Sequence, residues 1–146
     1  MATTKLKSHT EGVTPDELSL VRSYLLLTYI HKVFERDCRV IGKSGLFKTP
    51  QLYMELVSSG AKKTSIMLQE VKRELASHDL KITTVRQDQR GVEAQYMCRG
   101  YNGEMSILWP VFRREMMVRM RAYLGLATEL SILNREEHAE QLALSI

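Results

Sequence analysis

The sequence predicts an α+β domain, and three observations predict it. Thr14-Pro15-Asp16-Glu17 has the form of a capped helix start, apolar residues recur at three- and four-residue steps in several segments, and residues 92–99 alternate apolar with polar. At 146 residues the chain is long enough to bury one core without disulfides or metals. A hydrophobic fraction of 44% and a charged fraction of 26% are those of a folded protein and argue against disorder. The expected layout is a flexible arm over residues 1–13, one domain over 14–125, and a helical or partly ordered tail over 126–146.

The first helix starts at a Thr cap followed by Pro at the first helical position, with Glu17 placed to complete a capping box and the acids suited to the helix dipole. Leu18, Val21, Leu25, Tyr29, Val33 and Phe34 form its apolar stripe, and Arg22, Lys32 and Arg36 lie off it. The helix is expected to end near Cys38, before a Gly42–Gly45 loop. Ile41-Gly42-Lys43-Ser44-Gly45 has the look of a phosphate loop, but that motif needs glycine where Asp37 stands and a preceding strand, so it reads as a turn.

Thr49-Pro50 repeats the cap-then-proline signal and opens a short helix to about Val57, expected to bury Leu52, Leu56 and Tyr53. Ser58-Ser59-Gly60 closes it. A second helix is expected from about Ala61 to Ser77, with Ile66, Met67, Val71 and Leu75 inward and Lys62, Lys63, Gln69, Lys72 and Arg73 mostly outward. Two helices joined by a glycine-containing turn form a helix-turn-helix candidate.

Leu80 to Val85 and Val92 to Arg99 then read as a β-hairpin turning through Gln87-Asp88-Gln89-Arg90-Gly91. Met105, Leu108, Phe112, Met116, Met120 and Leu124 fall at helical spacing, although Pro110 does not fit a helix interior. Either a kinked helix begins near Glu104, or Met105 to Trp109 is a third strand and the helix begins at Pro110; the kinked helix is preferred. Beyond Gly125, Leu130, Leu133 and Leu142 could line one side of a further helix, interrupted by Asn134 and Glu136-Glu137.

Helix, two-helix turn, hairpin and closing helix, in that order over Thr14 to Leu124, resemble the winged-helix group of DNA-binding proteins. The resemblance implies a winged helix-turn-helix with long flanking N- and C-terminal helices. It also implies a recognition helix near Lys62 to Arg73 in a major groove, a wing near Arg86 to Arg90, and a homodimer through the flanking helices. Lys62, Lys63, Thr64 and Ser65 would meet phosphates at the helix start, Gln69, Lys72 and Arg73 would approach base edges, and Arg86 and Arg90 would touch backbone from the wing.

Charge agrees in sign with a double-stranded DNA partner. The net charge is +4, and the excess sits in residues 43–90, where nine lysines and arginines face five acids. Such binding requires no cofactor, because basic side chains displacing counterions from phosphate suffice. The expected role is a transcriptional regulator, or a site-specific factor in replication or segregation. The alternative is a protein-interaction adaptor on the same scaffold, prompted by the methionine-rich last helix and the acidic tail.

Other classes find little footing. His9, His31, His78 and His138 are scattered without metal-ligand spacing, and Cys38 and Cys98 stand in no C-x-x-C arrangement. Both cysteines are expected reduced, in a cytoplasmic protein. Apolar stretches such as Leu25 to Leu27 are far too short to span a membrane, no membrane partner is expected, and Met1 to Val13 lacks the apolar centre of a secretory signal. No nucleophile with its base, and no pair of carboxylates in opposed roles, is visible, so an enzyme is not expected.

Overall fold

The computed structural model describes residues 12–126, which form three helices and a three-stranded antiparallel sheet, an α+β fold. In chain order these are α1 (Pro15–Ser44), α2 (Pro50–Ser77), β1 (Leu80–Gln87), β2 (Gly91–Cys98), β3 (Tyr101–Leu108) and α3 (Trp109–Tyr123). The expected tail from Ala127 onward, and the arm up to Glu11, lie outside the described residues. Gly12 and Val13, assigned to the arm from sequence, are buried.

α1 begins as its sequence requires. Thr14 Oγ1 accepts from the Glu17 amide at 3.2 Å, and the Glu17 carboxylate accepts from the Thr14 amide at 3.0 Å, a complete capping box. The helix runs past Cys38 and through Gly42 before Gly45 stops it in the left-handed region, at φ 68°. A side chain at Gly42 would press on Met54, so this glycine lets α2 come close and does not open a loop.

α2 is one helix of 28 residues, which replaces the helix-turn-helix expected at Ser58-Ser59-Gly60. Gly60 is buried within it, and a Cβ there would lie 3.0 Å from the Phe34 ring and 2.9 Å from Leu124. Glycine serves close packing here. The roughly 1 kcal/mol that glycine costs a helix is small beside the continuous contact with α1.

The hairpin forms as expected and gains a third strand. Val92 pairs with Ile107 and Ala94 with Met105, so residues 101–108 are sheet and the preferred kinked helix over 104–109 is not formed. Met105 and Ile107 point to the core at period two, and Pro110 sits in the first turn of α3, where no amide donor is needed. Arg99 and Gly100, with φ of 47° and 85°, make the two-residue turn between β2 and β3.

The core lies between the sheet and the N-terminal half of α1, where every residue from Leu20 to Ile30 is buried or half-buried. Val21, Leu25, Leu26 and Ile30 meet Val92, Ala94, Tyr96, Ile107 and Phe112. Phe112 stands edge-on to Tyr29 at 5.2 Å and to Trp109 at 5.9 Å, locking α3 onto α1. Arg22 Nε donates to Glu115 at 2.8 Å across the same contact.

Glu17 ties the other end together. Although only 1% exposed, its carboxylate accepts both terminal nitrogens of Arg99, at 2.5 and 2.9 Å, and the Cys98 thiol at 3.4 Å, with His78 Nδ1 3.3 Å away. Arg99 also donates to the carbonyls of His78 and Gly12. The Arg99 guanidinium holds the Glu17 carboxyl well below its ordinary range against the opposing effect of burial. Burial, then the neighbouring Glu17 carboxylate, pushes the Cys98 thiol up.

Beyond Tyr29 the sheet ends, Leu124 still packs at Gly60 and Phe34, and further out α1 and α2 pack, among the described residues, only on each other. Fifteen further residues carry α1 about 22 Å outward. Only one side of each helix is covered there, and Leu52, Tyr53 and Leu56, expected in the core, are exposed, as is Ile66.

Two outcomes test this fold. Glu17→Gln keeps the cap and removes the charge, and is expected to lower stability at pH 7 by about 2 kcal/mol. Because the folded carboxyl is depressed, its contribution is full above its ordinary value of 4.5 and fades as pH falls below it, so the melting temperatures of wild type and variant should converge in acid. Gly60→Val is expected to cost about 2 kcal/mol through overpacking against Phe34; a neutral effect in a chemical melt would contradict the close helix contact.

Candidate nucleic-acid interface

The residues expected to contact DNA separate on the folded chain. Lys62, Gln69 and Arg73 follow one another at seven and four residues, share one side of α2 and are exposed. Lys72 is exposed between that side and the α1 contact. Lys63 points elsewhere, its Nζ donating to the Tyr123 carbonyl at 3.0 Å near the end of α3, with Glu70 and Glu74 on its side of the helix. With no helix start at Ala61, none of these residues has free backbone amides beside it.

Thr64 leaves the set altogether. It is fully buried, its hydroxyl donates to the Ala61 carbonyl at 2.8 Å, and its oxygen lies 3.0 Å from His31 Nδ1, which bonds α1 to α2. His31 Nε2 faces Glu35 at 3.1 Å. Ser65 is half-buried and lines an open groove of about 520 Å³ between the helices, together with His31, Glu35, Cys38, Ser58, Arg39 and Lys62.

Arg39 and Lys62 therefore flank one groove from opposite helices, and Arg39 belongs to a row that the sequence reading missed. Lys32, Arg36, Arg39 and Lys43 succeed one another at four, three and four residues on α1, all exposed. At 100° per residue they fall within about 60° of arc. Lys32 and Arg36 were visible off the apolar stripe, but a helix ending near Cys38 cannot align Arg39 and Lys43 with them.

Arg86 and Arg90 bracket the β1–β2 turn and are exposed. Asp88 builds the turn by accepting from the Arg90 and Gly91 amides at 2.7 and 3.1 Å, bonds that hold its carboxyl below the usual range. The turn is pinned to the body where Trp109 Nε1 donates to the Asp88 carbonyl at 2.7 Å and Tyr29 Oη donates to Gln87 at 3.0 Å. Tyr29 lies two turns before Arg36 on the same side of α1, so the turn stands at the inner end of the basic row. Arg113 stacks 5.8 Å over Trp109 beside it.

Among the described residues no group of three or more His, Cys, Asp or Glu is placed to hold a metal ion, and every buried side-chain nitrogen and oxygen has a hydrogen-bond partner. Cys38 and Cys98 are free thiols. No described helix is long and apolar enough to cross a membrane.

No curated protein and no solved structure matches the chain. A family model described as YhjD protein matches residues 12–128, from the buried Gly12 to just beyond the end of the described fold. The match spans most of the sequence, and the chain belongs to the YhjD protein family.

Proposed function

We propose that this protein binds double-stranded DNA through the basic side of the α1–α2 pair. The observation that carries the reading is the exposed row Lys32, Arg36, Arg39 and Lys43 on one side of α1, of which Arg39 lines the same groove as Lys62, with Glu35 the one acid on its wall. Lys32 to Lys43 spans about 16 Å, a length of duplex that presents on the order of nine phosphates. Arg86, Arg90 and Arg113 extend the positive surface at its inner end, and Gln69, Lys72 and Arg73 extend it along α2.

Long, mobile cations on an open surface suit phosphate oxygens, and phosphate contacts position a protein without reading sequence. The reading therefore favours backbone binding with modest sequence preference over insertion of a recognition helix. A role in replication or segregation fits such binding more directly than operator recognition. In this reading the protein binds and does not catalyse, and a homodimer through α1 or α3 would join two such surfaces on one duplex.

A second reading, an adaptor for another protein, is favoured by Met117 and Val118, which stand exposed and adjacent on α3.

Retention of labelled duplex at two salt concentrations tests the first reading. Arg36→Ala with Arg39→Ala is expected to weaken binding similarly across sequences and to reduce the slope of log affinity against log salt by about 2. Lys62→Ala should reduce it by about 1, whereas Lys63→Ala should leave it unchanged because that side chain is engaged with α3. No retention of the wild type even at low salt, with a stable complex lost on Met117→Glu, would transfer the function to the adaptor reading.

A further inference from the structure

We propose that the outer tip of the α1–α2 pair docks on an anionic lipid surface. The inference does not require DNA binding, although Arg39 and Lys43 belong to both surfaces, and it rests on side chains at the connection between the two helices. Gly45 reverses the chain in the left-handed region, and Leu46 and Phe47 follow at the apex. Leu46 is 86% exposed, Leu52 61%, and Phe47 and Tyr53, whose rings lie 5.4 Å apart, are exposed beside them. Val40 and Leu56 continue the apolar surface inward.

An apolar cluster of this kind at the end of a soluble arm needs a reason. Charge narrows the choice of partner. Between Asp37 and Glu55 the chain holds no acid, and Arg39, Lys43 and Lys48 stand exposed around the apex. Apolar side chains at the point with cations on the shoulders match the layering of a bilayer surface, acyl chains beneath and anionic headgroups above. Phe47 and Tyr53 suit the boundary, where amphipathic rings gather.

Shape separates lipid from a protein partner. Leu46 stands at a convex apex with most of its surface open, and among the described residues no wall of side chains frames it. A protein would need a matching socket, whereas a fluid headgroup layer closes around any convex tip. Lys43 and Lys48, three residues before and two residues after Leu46, place their ammonium groups at headgroup depth when Leu46 and Phe47 enter the acyl boundary. No described helix is long and apolar enough to cross the bilayer in this arrangement.

Flotation of the full chain with vesicles of phosphatidylcholine, and of phosphatidylcholine containing phosphatidylglycerol, tests the proposal. The wild type is expected to float with the anionic vesicles only. Leu46→Glu with Phe47→Glu should lose about a hundredfold in vesicle affinity, since each side chain withdrawn from the acyl boundary is worth about a decade. Lys43→Gln with Lys48→Gln should bind less and with weaker salt dependence. Both pairs are exposed, so far-ultraviolet circular dichroism and melting temperature should match the wild type.

Failure of the wild type to float with anionic vesicles overturns the proposal, as does undiminished flotation of Leu46→Glu with Phe47→Glu. Light scattering that shows a dimer broken by that pair, without vesicle binding, would assign the tip to a second copy instead. Duplex retention by the same variants keeps the two functions apart: the Leu46 and Phe47 changes should spare DNA binding. Vesicle binding without duplex retention would sink the DNA reading and leave this one standing.

Discussion

A carboxylate taken out of water must be met by enough donors to hold its charge, and Glu17 is met by three kinds, a backbone amide, a guanidinium and a thiol, with an imidazole edge beside them. Each of these groups belongs to a different part of the chain. Thr14 is the start of α1, Arg99 is the β2–β3 turn, Cys98 is the end of the central strand and His78 is the end of α2. One charged group thereby sets where the two long helices and the sheet meet. Arg99 holds its place with φ of 47°, and its amide donates to the Asp79 carbonyl at 3.0 Å, so the turn conformation and the ion pair support one another.

From that anchored end the rest follows by packing. α1 is packed among sheet, α2 and α3 from Leu20 to Ile30, and Phe112, Tyr29 and Trp109 close the enclosure at the far side. Past Tyr29 no sheet remains to cover α1. Residues that would be core in a shorter helix pair meet solvent there, and both candidate surfaces belong to this uncovered stretch, one charged along its side and one apolar at its end.

What was legible in the sequence is what local chemistry decides. The Thr14–Glu17 cap, the period-two alternation of Val92, Ala94, Tyr96 and Cys98, and the turn at Asp88 each depend on residues a few positions apart. Gly60 misled because glycine marks a turn and a close helix contact alike, and only Phe34, distant in sequence, decides which. Met105 and Leu108 were drawn into a helical period by their spacing from Phe112, although Ile107 supplied the strand alternation. Leu52, Tyr53 and Leu56 were recognisable as an apolar group, but their exposure depends on where the sheet stops. Arg39 and Lys43 joined Lys32 and Arg36 only once α1 was seen to continue through Gly42.

The projecting pair is built from neighbours along the chain, Cys38 donating to the Met54 carbonyl and Gly42 beside the Met54 side chain, with Phe34 at its base. Such a unit can open and close on its own, because its contacts share little with the enclosed half of α1. The molecule is thus mechanically divided, a rigid hub fixed around a buried charge and an arm whose outer turns can loosen without disturbing it. An arm of that kind can settle onto an uneven or moving surface while the hub keeps its shape.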